Sequence, residues 1–411
     1  MDLHLNIEQQ NLRKDARSFA KEVLSGVSSA ITGLPTPELR FAATKPFYEE
    51  LVKQGFLKRL IPAPFGGEGS GLVDMAIVAE EFHAEDVNVS LTMLANILGL
   101  MPVFIAGTEA QRSRWIAPFL SCHGAPLAAL ANSEPGGSAN FDSKAPGEGT
   151  RTVAERRDGH WLINGHKQWV SAATGWDGKG ADLLTVVCRT GVLDDGAPAL
   201  SIIGIENPVP GLSLEKALDS VGHRGHLTPR FRLENAIAPL ENMIGGEGQA
   251  RDIVSASFTG TAALVGVFAT AVLRKAFDMT LAFAKSEKRG GPHPIIEYQA
   301  VGYGLADIKG KLEAMRALSW RSCWAMDAGI PGAAELSLHS KVYCSETACS
   351  AILDLIRIVG IDAYDSEFPL VHLLLDALAF PIFDGGNMGV RRKQIHAILN
   401  AHDYDPLSTV A

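Results

Sequence analysis

An aspartate stands at the end of an apolar approach, Ala379-Phe380-Pro381-Ile382-Phe383, and is followed at once by two glycines, Gly385 and Gly386. Seven residues beyond Asp384 comes the first of an arginine pair, Arg391-Arg392. A carboxylate on a Gly-Gly corner can be brought against a flat ligand, because no Cβ atoms hold the backbone away. A guanidinium downstream favours the ionised carboxylate, the state a base must occupy. The plain alternative is an Asp-Gly turn after a core segment. A second group of residues lies far upstream. It comprises Ala131-Asn132-Ser133-Glu134-Pro135-Gly136-Gly137-Ser138 and then Asn164-Gly165-His166-Lys167-Gln168-Trp169-Val170-Ser171. By themselves Trp169 and Ser171 read as a strand aromatic and a strand-end hydroxyl. No Gly-x-Gly-x-x-Gly opens a strand–helix unit, and the glycine-rich run 66–71 reads as a turn. No Gly-x-Ser-x-Gly elbow and no Ser/His/Asp order suggests a hydrolase.

Three stretches of different texture must position these residues. Ala16, Phe19, Ala20, Val23 and Leu24 recur at helical spacing behind a capping box of Asn6 and Gln9. Helical patterns continue over 46–54, 72–83 and 111–120, so residues 1–125 read as an N-terminal helical domain. Over 126–240, Asp158-Gly159 and Asn164-Gly165 are hairpin signals, and 183–187 and 200–203 are short β-rich runs. This stretch predicts a mostly antiparallel sheet or barrel. Over 241–411, helical patterns at 250–285, 297–328, 333–359 and 371–379 predict a four-helix bundle that carries the acid corner. The expected fold class is mainly α with a central β domain.

Composition excludes several classes of function. The 411 residues are 46% hydrophobic and 20% charged, with a net charge of −9. That balance argues against nucleic acid or an anionic membrane as a partner. Met1-Asp2-Leu3-His4-Leu5-Asn6 lacks the basic region and apolar core of a secretory signal. The apolar run 91–106 is interrupted by Gly99 and Pro102 and reads as too short to span a bilayer. Five cysteines (Cys122, Cys188, Cys323, Cys344, Cys349) form no Cys-x-x-Cys pair, which points to a reducing, cytoplasmic compartment. His223 and His226 flank Arg224-Gly225 as a polar turn, with no Cys or carboxylate at ligand spacing, so no metal is expected.

In order and spacing these stretches resemble the acyl-CoA dehydrogenase superfamily of flavoproteins. The likeness extends through Pro64-Phe65-Gly66-Gly67, Gly107-Thr108-Glu109-Ala110-Gln111, Ser220-Val221-Gly222-His223-Arg224-Gly225, Asn242-Met243-Ile244-Gly245, Arg289, Gln299 and Glu367-Phe368-Pro369. The resemblance implies an FAD held without a Rossmann fold. Ser133, with Asn132 and Ser138 beside it, would hold the flavin from the sheet domain. Trp169 would pack on the isoalloxazine and Ser171 would hydrogen-bond near N5. Arg289 and Gln299 would grip the pyrophosphate from a neighbouring subunit, since a guanidinium fork matches phosphate oxygens. Gly360, Gly385 and Gly386 would admit the cofactor close to the backbone. A site completed by a neighbour implies a homo-oligomer, in this superfamily usually a tetramer.

The acid at this corner is ordinarily glutamate, in a Tyr-Glu-Gly-Thr context, whereas this chain reads Phe383-Asp384-Gly385-Gly386. Aspartate followed by Gly-Asn and the arginine pair is similar to the nitroalkane oxidase branch, as is Gly175-Trp176-Asp177-Gly178-Lys179-Gly180-Ala181-Asp182-Leu183. Two charged residues that contact CoA-bearing substrates in the family are replaced by Val254 and Ser257. Each lost charged hydrogen bond removes about 1.5–3 kcal/mol, which argues against CoA binding. Thr261 stands where that branch places a serine beside the base. Gly360-Ile361-Asp362-Ala363-Tyr364 replaces a Gly-Gly-x-Gly-Tyr motif near the adenine end. The implied activity is an FAD-dependent oxidase. Asp384 would take the α-proton of a small nitroalkane, and Arg391 would hold it charged and oriented. The products would be an aldehyde or ketone, nitrite and hydrogen peroxide, with O2 as acceptor. One alternative is a dehydrogenase or desaturase acting on an acyl thioester or a carrier-bound acyl group. Another, of a different class, is a catalytically silent, flavin-stabilised assembly protein.

Overall fold

The first helix begins where its capping box places it: Asn6 accepts from the Gln9 amide, and the Gln9 side chain accepts from the Asn6 amide. The protein is seen in a computed structural model that describes residues 4–409. Met1, Asp2 and Leu3 of the N-terminal stretch considered above lie outside the described residues.

Among the described residues, seven α-helices form the N-terminal region: α1 (Ile7–Glu22), α2 (Val27–Ile31), α3 (Pro37–Lys53), α4 (Phe56–Leu60), α5 (Leu72–Glu85), α6 (Val87–Ala106) and α7 (Glu109–Leu120). Helix α3 starts nine residues before the expected pattern, because Thr36 caps it, Pro37 occupies its first turn and Pro46 is tolerated inside. Helix α6 runs unbroken through both Gly99 and Pro102, where an interruption is predicted. The reason is a close approach: a Cβ on Gly99 would lie 2.4 Å from the Ala128 carbonyl carbon, so the helix rests directly on the sheet. Helices α6 and α8 (Ala250–Ser286) are long and apolar enough to cross a bilayer by length and composition. However, 78% of each apolar window is buried inside the protein, and packing against sheet and bundle accounts for that composition.

The central region is one sheet in the order β6-β7-β3-β2-β4-β5-β8, with β1 alongside β4. The strands are β1 (Ala128–Ala131), β2 (Val153–Arg157), β3 (His160–Gln168), β4 (Leu183–Val192), β5 (Pro198–Glu206), β6 (Leu212–Lys216), β7 (Arg230–Pro239) and β8 (Met243–Ile244). It is mostly antiparallel, as predicted, but mixed, because β1 and β2 both run parallel to β4. Asp158-Gly159 makes the predicted two-residue hairpin with both φ angles positive, +52° and +79°. Asn164-Gly165 is instead inside β3, at a bulge where the register with β7 shifts. An Asn-Gly pair satisfies either geometry, and here the β7 partner strand selects the bulge, with the Asn235 amide donating to the Asn164 side chain at 2.8 Å.

The C-terminal region packs α8, α9 (Gln299–Asp327) and α10 (Ala333–Val359) together, with the shorter α11 (Leu370–Ala377) as the fourth member against α8 and α10. Helix α5 docks on α8 and α9 through a buried charge cluster. Glu81 pairs with Arg13, Arg17 and Arg274, while Glu80 accepts from Arg274, Arg316 and the Trp320 indole. After α11 the chain turns through the acid corner into a widened helical turn, Asn387–Arg391, and continues into α12 (Arg392–Leu399).

Candidate active site

Asp384 and Gly385 both take left-handed backbone, φ +50° and +70°. Aspartate accepts that conformation more readily than bulky residues. Two aromatic residues wedge the corner, Phe380 fully buried and Phe383 packed 5.8 Å from it and 6.2 Å from the His223 ring. Beyond the corner, the Arg391 N–H reaches back five residues to the Gly386 carbonyl at 3.2 Å. Such widened turns recur at functional sites. This one folds the Arg391 side chain back over the corner.

Arg391 is fully buried and spends its fork on Asp384. Its Nη2 donates to Asp384 Oδ2 at 2.9 Å and to the Asp384 carbonyl at 2.6 Å, and its Nε donates to the same carbonyl at 3.0 Å. Nη2 also donates to the Phe258 carbonyl on α8 at 3.0 Å. From one turn farther along α8, Thr261 donates its hydroxyl to Asp384 Oδ1 at 2.8 Å. The two carboxylate oxygens therefore have different donors, and each keeps a lone pair. The Asp384 side chain is 6% exposed, so it works in a largely dehydrated place.

Lys341, which the sequence reading passed over, and Asn387, noted there only as part of the Gly-Asn pattern, sit beneath this corner. Lys341 of α10, fully buried, donates to the Phe380 carbonyl and to Asn387 Oδ1, both at 2.8 Å. Asn387 in turn donates to Ser345 and Glu346, each at 3.0 Å, and Arg392 pairs with Glu346. Burial pushes the Lys341 ammonium down to about 7; nearby Asp384 and Glu346 oppose that push and Arg391 reinforces it. The available signal was a lysine sharing helical spacing with Leu338, Cys344 and Ser345, all on the inward face of α10.

On the sheet side, Glu134 is buried and accepts from the amides of Arg151 and Thr152, the Thr152 hydroxyl and Lys167. Burial alone would raise its carboxyl, but Lys167 and Thr152 hold it below the usual range. Lys167 also donates to the carbonyls of Asn132 and Val187, tying the loop after β1 to strands β3 and β4. The Ser133 carbonyl accepts from the Gln168 amide at 3.0 Å, and Ser138 lies farther along the same loop. Trp169 leaves β3 with φ +61°, and the residue is 54% exposed. An exposed aromatic on strained backbone marks a surface prepared for something flat. Ser171 meets His226 at 3.0 Å, and His226 meets Thr92 of α6 at 2.8 Å. The turn from His223 to His226 exists as predicted, but it is not a solvated polar turn: both rings are buried, beneath Ser171 and beside Phe383.

The structure thus gathers Asp384, Arg391 and Thr261 into one cluster. The sheet residues border it through the His223–His226 turn. They also reach it through Ala139, whose Cβ lies 3.4 Å from where a Gly389 Cβ would stand. Arg289, Gln299 and Gly360 lie elsewhere, around the ends of α8, α9 and α10. Arg289, φ +50°, donates to the Val359 carbonyl, pairs with Asp362 at 2.8 Å and covers the Phe283 ring at 5.2 Å. Gly360, φ +79°, sits beside that guanidinium. Asp362, at the unspecified position between the two departures Ile361 and Ala363, is therefore the partner that holds Arg289. Gln299 opens α9 and is exposed. Val254 and Ser257 are buried, and Ser257 donates to the Ile253 carbonyl, so neither offers a charge to a substrate.

The residues present fit a flavin. Asn132 Oδ1 is buried with no partner among the described residues, an acceptor left for an incoming donor. The exposed Trp169 follows Gln168, whose amide donates to the carbonyl of Ser133 next to Asn132, and the Gly136-Gly137 turn, φ +108° and +96°, leaves open space where a Gly137 side chain would project.

Family models agree with this arrangement. The acyl-CoA dehydrogenase N-terminal, middle and C-terminal domains match residues 6–123, 129–236 and 250–399. A nitroalkane oxidase of Podospora anserina is 38% identical over 100% of this chain and 98% of its own. One from Fusarium oxysporum is 35% identical over 99% and 96%. Among solved structures, an active-site mutant of nitroalkane oxidase crystallised with 1-nitrooctane superposes with a TM-score of 0.95. It is 34% identical and covers 100% of this chain and 99% of its own. Butyryl-CoA dehydrogenase from Megasphaera elsdenii, at 23% identity and a TM-score of 0.86 over 97% of this chain and 100% of its own, shares the fold.

Proposed function

We infer what this chain does from the family to which it belongs, the acyl-CoA dehydrogenases, and from the aspartate that stands at its corner. It is an FAD-dependent oxidoreductase, and its reading is that of a nitroalkane oxidase. The observation that carries the substrate assignment is the pairing of Asp384, Arg391 and Thr261 with a helix entry, Val254 to Ser257, that has no charged anchor for CoA.

Asp384 takes the α-proton of a small neutral nitroalkane. The nitro group makes that hydrogen acidic, and a dehydrated carboxylate with a spare lone pair on each oxygen is matched to it. Thr261 and Arg391 hold the two oxygens in one orientation, and Arg391 also holds the corner itself through the Asp384 carbonyl. Trp169 and Ser171, with Asn132, Ser133 and Ser138, hold the flavin ring, and Gly385 and Gly386 let the corner approach it. When bound, the flavin takes two electrons from the substrate and passes them to oxygen. Overall, nitroalkane, oxygen and water become an aldehyde or ketone, nitrite with a proton, and hydrogen peroxide. Arg289 and Gln299 reach a neighbour's cofactor, so the working form is a homo-oligomer, a tetramer in this reading. Five free cysteines support a reducing, cytoplasmic setting.

Anaerobic mixing of the purified flavoprotein with nitroethane tests the assignment. The flavin absorbance should bleach and nitrite should appear, while butyryl-CoA leaves the spectrum nearly unchanged. Rapid bleaching by acyl-CoA with no response to nitroalkanes would move the assignment to a dehydrogenase.

A further inference from the structure

We propose that Thr92 and His226 are positioning residues that fix the direction of the Ser171 hydroxyl hydrogen, so that Ser171 offers an acceptor to the flavin and not a donor. The proposal rests on the reading that Ser171 borders the flavin. Its own content comes from a buried hydrogen-bond chain. Ser171 Oγ lies 3.0 Å from His226 Nε2, and His226 Nδ1 lies 2.8 Å from Thr92 Oγ1. Thr92 Oγ1 also lies 2.9 Å from the Asn88 carbonyl, one turn back on α6. A carbonyl oxygen only accepts, so the Thr92 hydrogen goes to Asn88. Thr92 must then accept from His226, which places the ring proton on Nδ1.

Burial pushes the His226 imidazole down to about 3, and the nearby His223 adds to that push, so the ring is neutral. A neutral ring protonated on Nδ1 has a bare Nε2, and the hydrogen in the Ser171 contact comes from the serine. The opposite tautomer would leave Thr92 Oγ1 and the Asn88 oxygen facing each other without a hydrogen. Thr92 is 1% exposed, so water cannot fill that gap. Ser171 therefore turns lone pairs outward, at the residue two beyond the open Trp169 indole. An outward acceptor matches the N–H that a flavin carries at N5 when reduced and mismatches the bare N5 of the oxidised ring. The Thr92–His226–Ser171 chain thereby favours the reduced cofactor.

The midpoint potential of the bound flavin tests this in Thr92→Val, Thr92→Ser and each of these combined with Ser171→Ala. Thr92→Val should shift the oxidised–reduced equilibrium about tenfold towards oxidised, about 30 mV for a two-electron couple. Thr92→Ser, which keeps the hydroxyl, should stay at the parent value, and Thr92→Val should add nothing once Ser171 is alanine. An unchanged potential in Thr92→Val, an equal drop in Thr92→Ser, or a shift that persists without Ser171 would overturn the proposal. A second arm reads the parent protein itself: 15N NMR of histidine-labelled parent protein, with His226→Gln used only to assign the His226 signals by their absence. Protonation at Nδ1 is expected, and protonation at Nε2 overturns the proposal. Absence of flavin from the parent protein would defeat the cofactor reading, while the NMR arm still decides the tautomer.

Discussion

Two side chains, Arg391 and Thr261, converge on the two carboxylate oxygens of Asp384, and each of the three residues has a separable task. Asp384→Asn keeps the shape and hydrogen-bonding reach of the corner but cannot take a proton. We expect bound FAD to be retained and anaerobic flavin reduction by nitroethane to fall by about 10²–10⁴-fold, the range for general base catalysis. Asp384→Glu should keep a fraction of the rate, since the base survives in a displaced position. Turnover close to that of the parent in the Asn variant would remove the central assignment. Thr261→Val deletes one donor to Oδ1 and leaves the Arg391 pair intact. Its loss should be the smaller of the two, about 10-fold, corresponding to about 1.4 kcal/mol for a hydrogen bond to a charged group. Single-turnover bleaching measures both.

At the level of elements, the acid corner is held by α10 from below as much as by its own turn. Lys341 joins the end of the Phe380 segment to Asn387, the first residue of the widened turn. Lys341→Met fills similar space but leaves the Phe380 carbonyl and Asn387 Oδ1 buried without a donor, at about 1–3 kcal/mol for each orphaned group. Both melting temperature and the rate of flavin reduction should drop, with the rate falling because Arg391 loses its register over Asp384. A variant with lowered melting temperature and an unchanged rate would show that α10 supports the fold alone. The spacing of α10 places the lysine on the inward face but does not show its acceptors, which lie some forty residues later and are folded onto it.

Across the whole molecule, the N-terminal helices are fastened to the bundle by charge. Burial alone would raise the Glu81 carboxyl, but Arg17, Arg274 and Arg13 outweigh it and hold it down to about 2. A carboxyl lowered on folding adds stability that is complete above its unfolded value near 4.5 and is lost as pH falls towards 2. At about 1.4 kcal/mol per unit, that is about 3 kcal/mol. Acid melts should therefore show the parent losing stability steeply below pH 4.5. Glu81→Gln should be less stable at neutral pH and flatter across that window, and a parallel pair of curves would rule this account out. Arg289→Ala speaks to the assembly. Among the described residues of one chain its side chain meets Val359, Asp362 and Phe283, so the bundle should survive. FAD retention should weaken if the guanidinium also reaches a neighbour's pyrophosphate, which equilibrium dialysis measures.

The linear order alone determined the three regions, the helical class of the two outer ones, the capping box of α1 and the Asp158-Gly159 hairpin. Those features depend on residues a few positions apart, where periodicity and turn chemistry act directly. It also indicated the acid and its arginine, because a Gly-Gly corner with a charged pair seven residues on is a local pattern, whereas Thr261, far upstream on α8, was indicated only by the family resemblance. Tertiary structure decided everything that needs contact between distant segments. Gly99 does not interrupt α6 because it must touch β1. Asn164-Gly165 became a bulge because β7 pairs across it. His223 and His226 became buried because α11 and α6 close over their turn, and Lys341 became a support for the corner because the chain returns over α10. A side chain's solvent and partners are properties of packing, and packing is set by residues that spacing along the chain does not join.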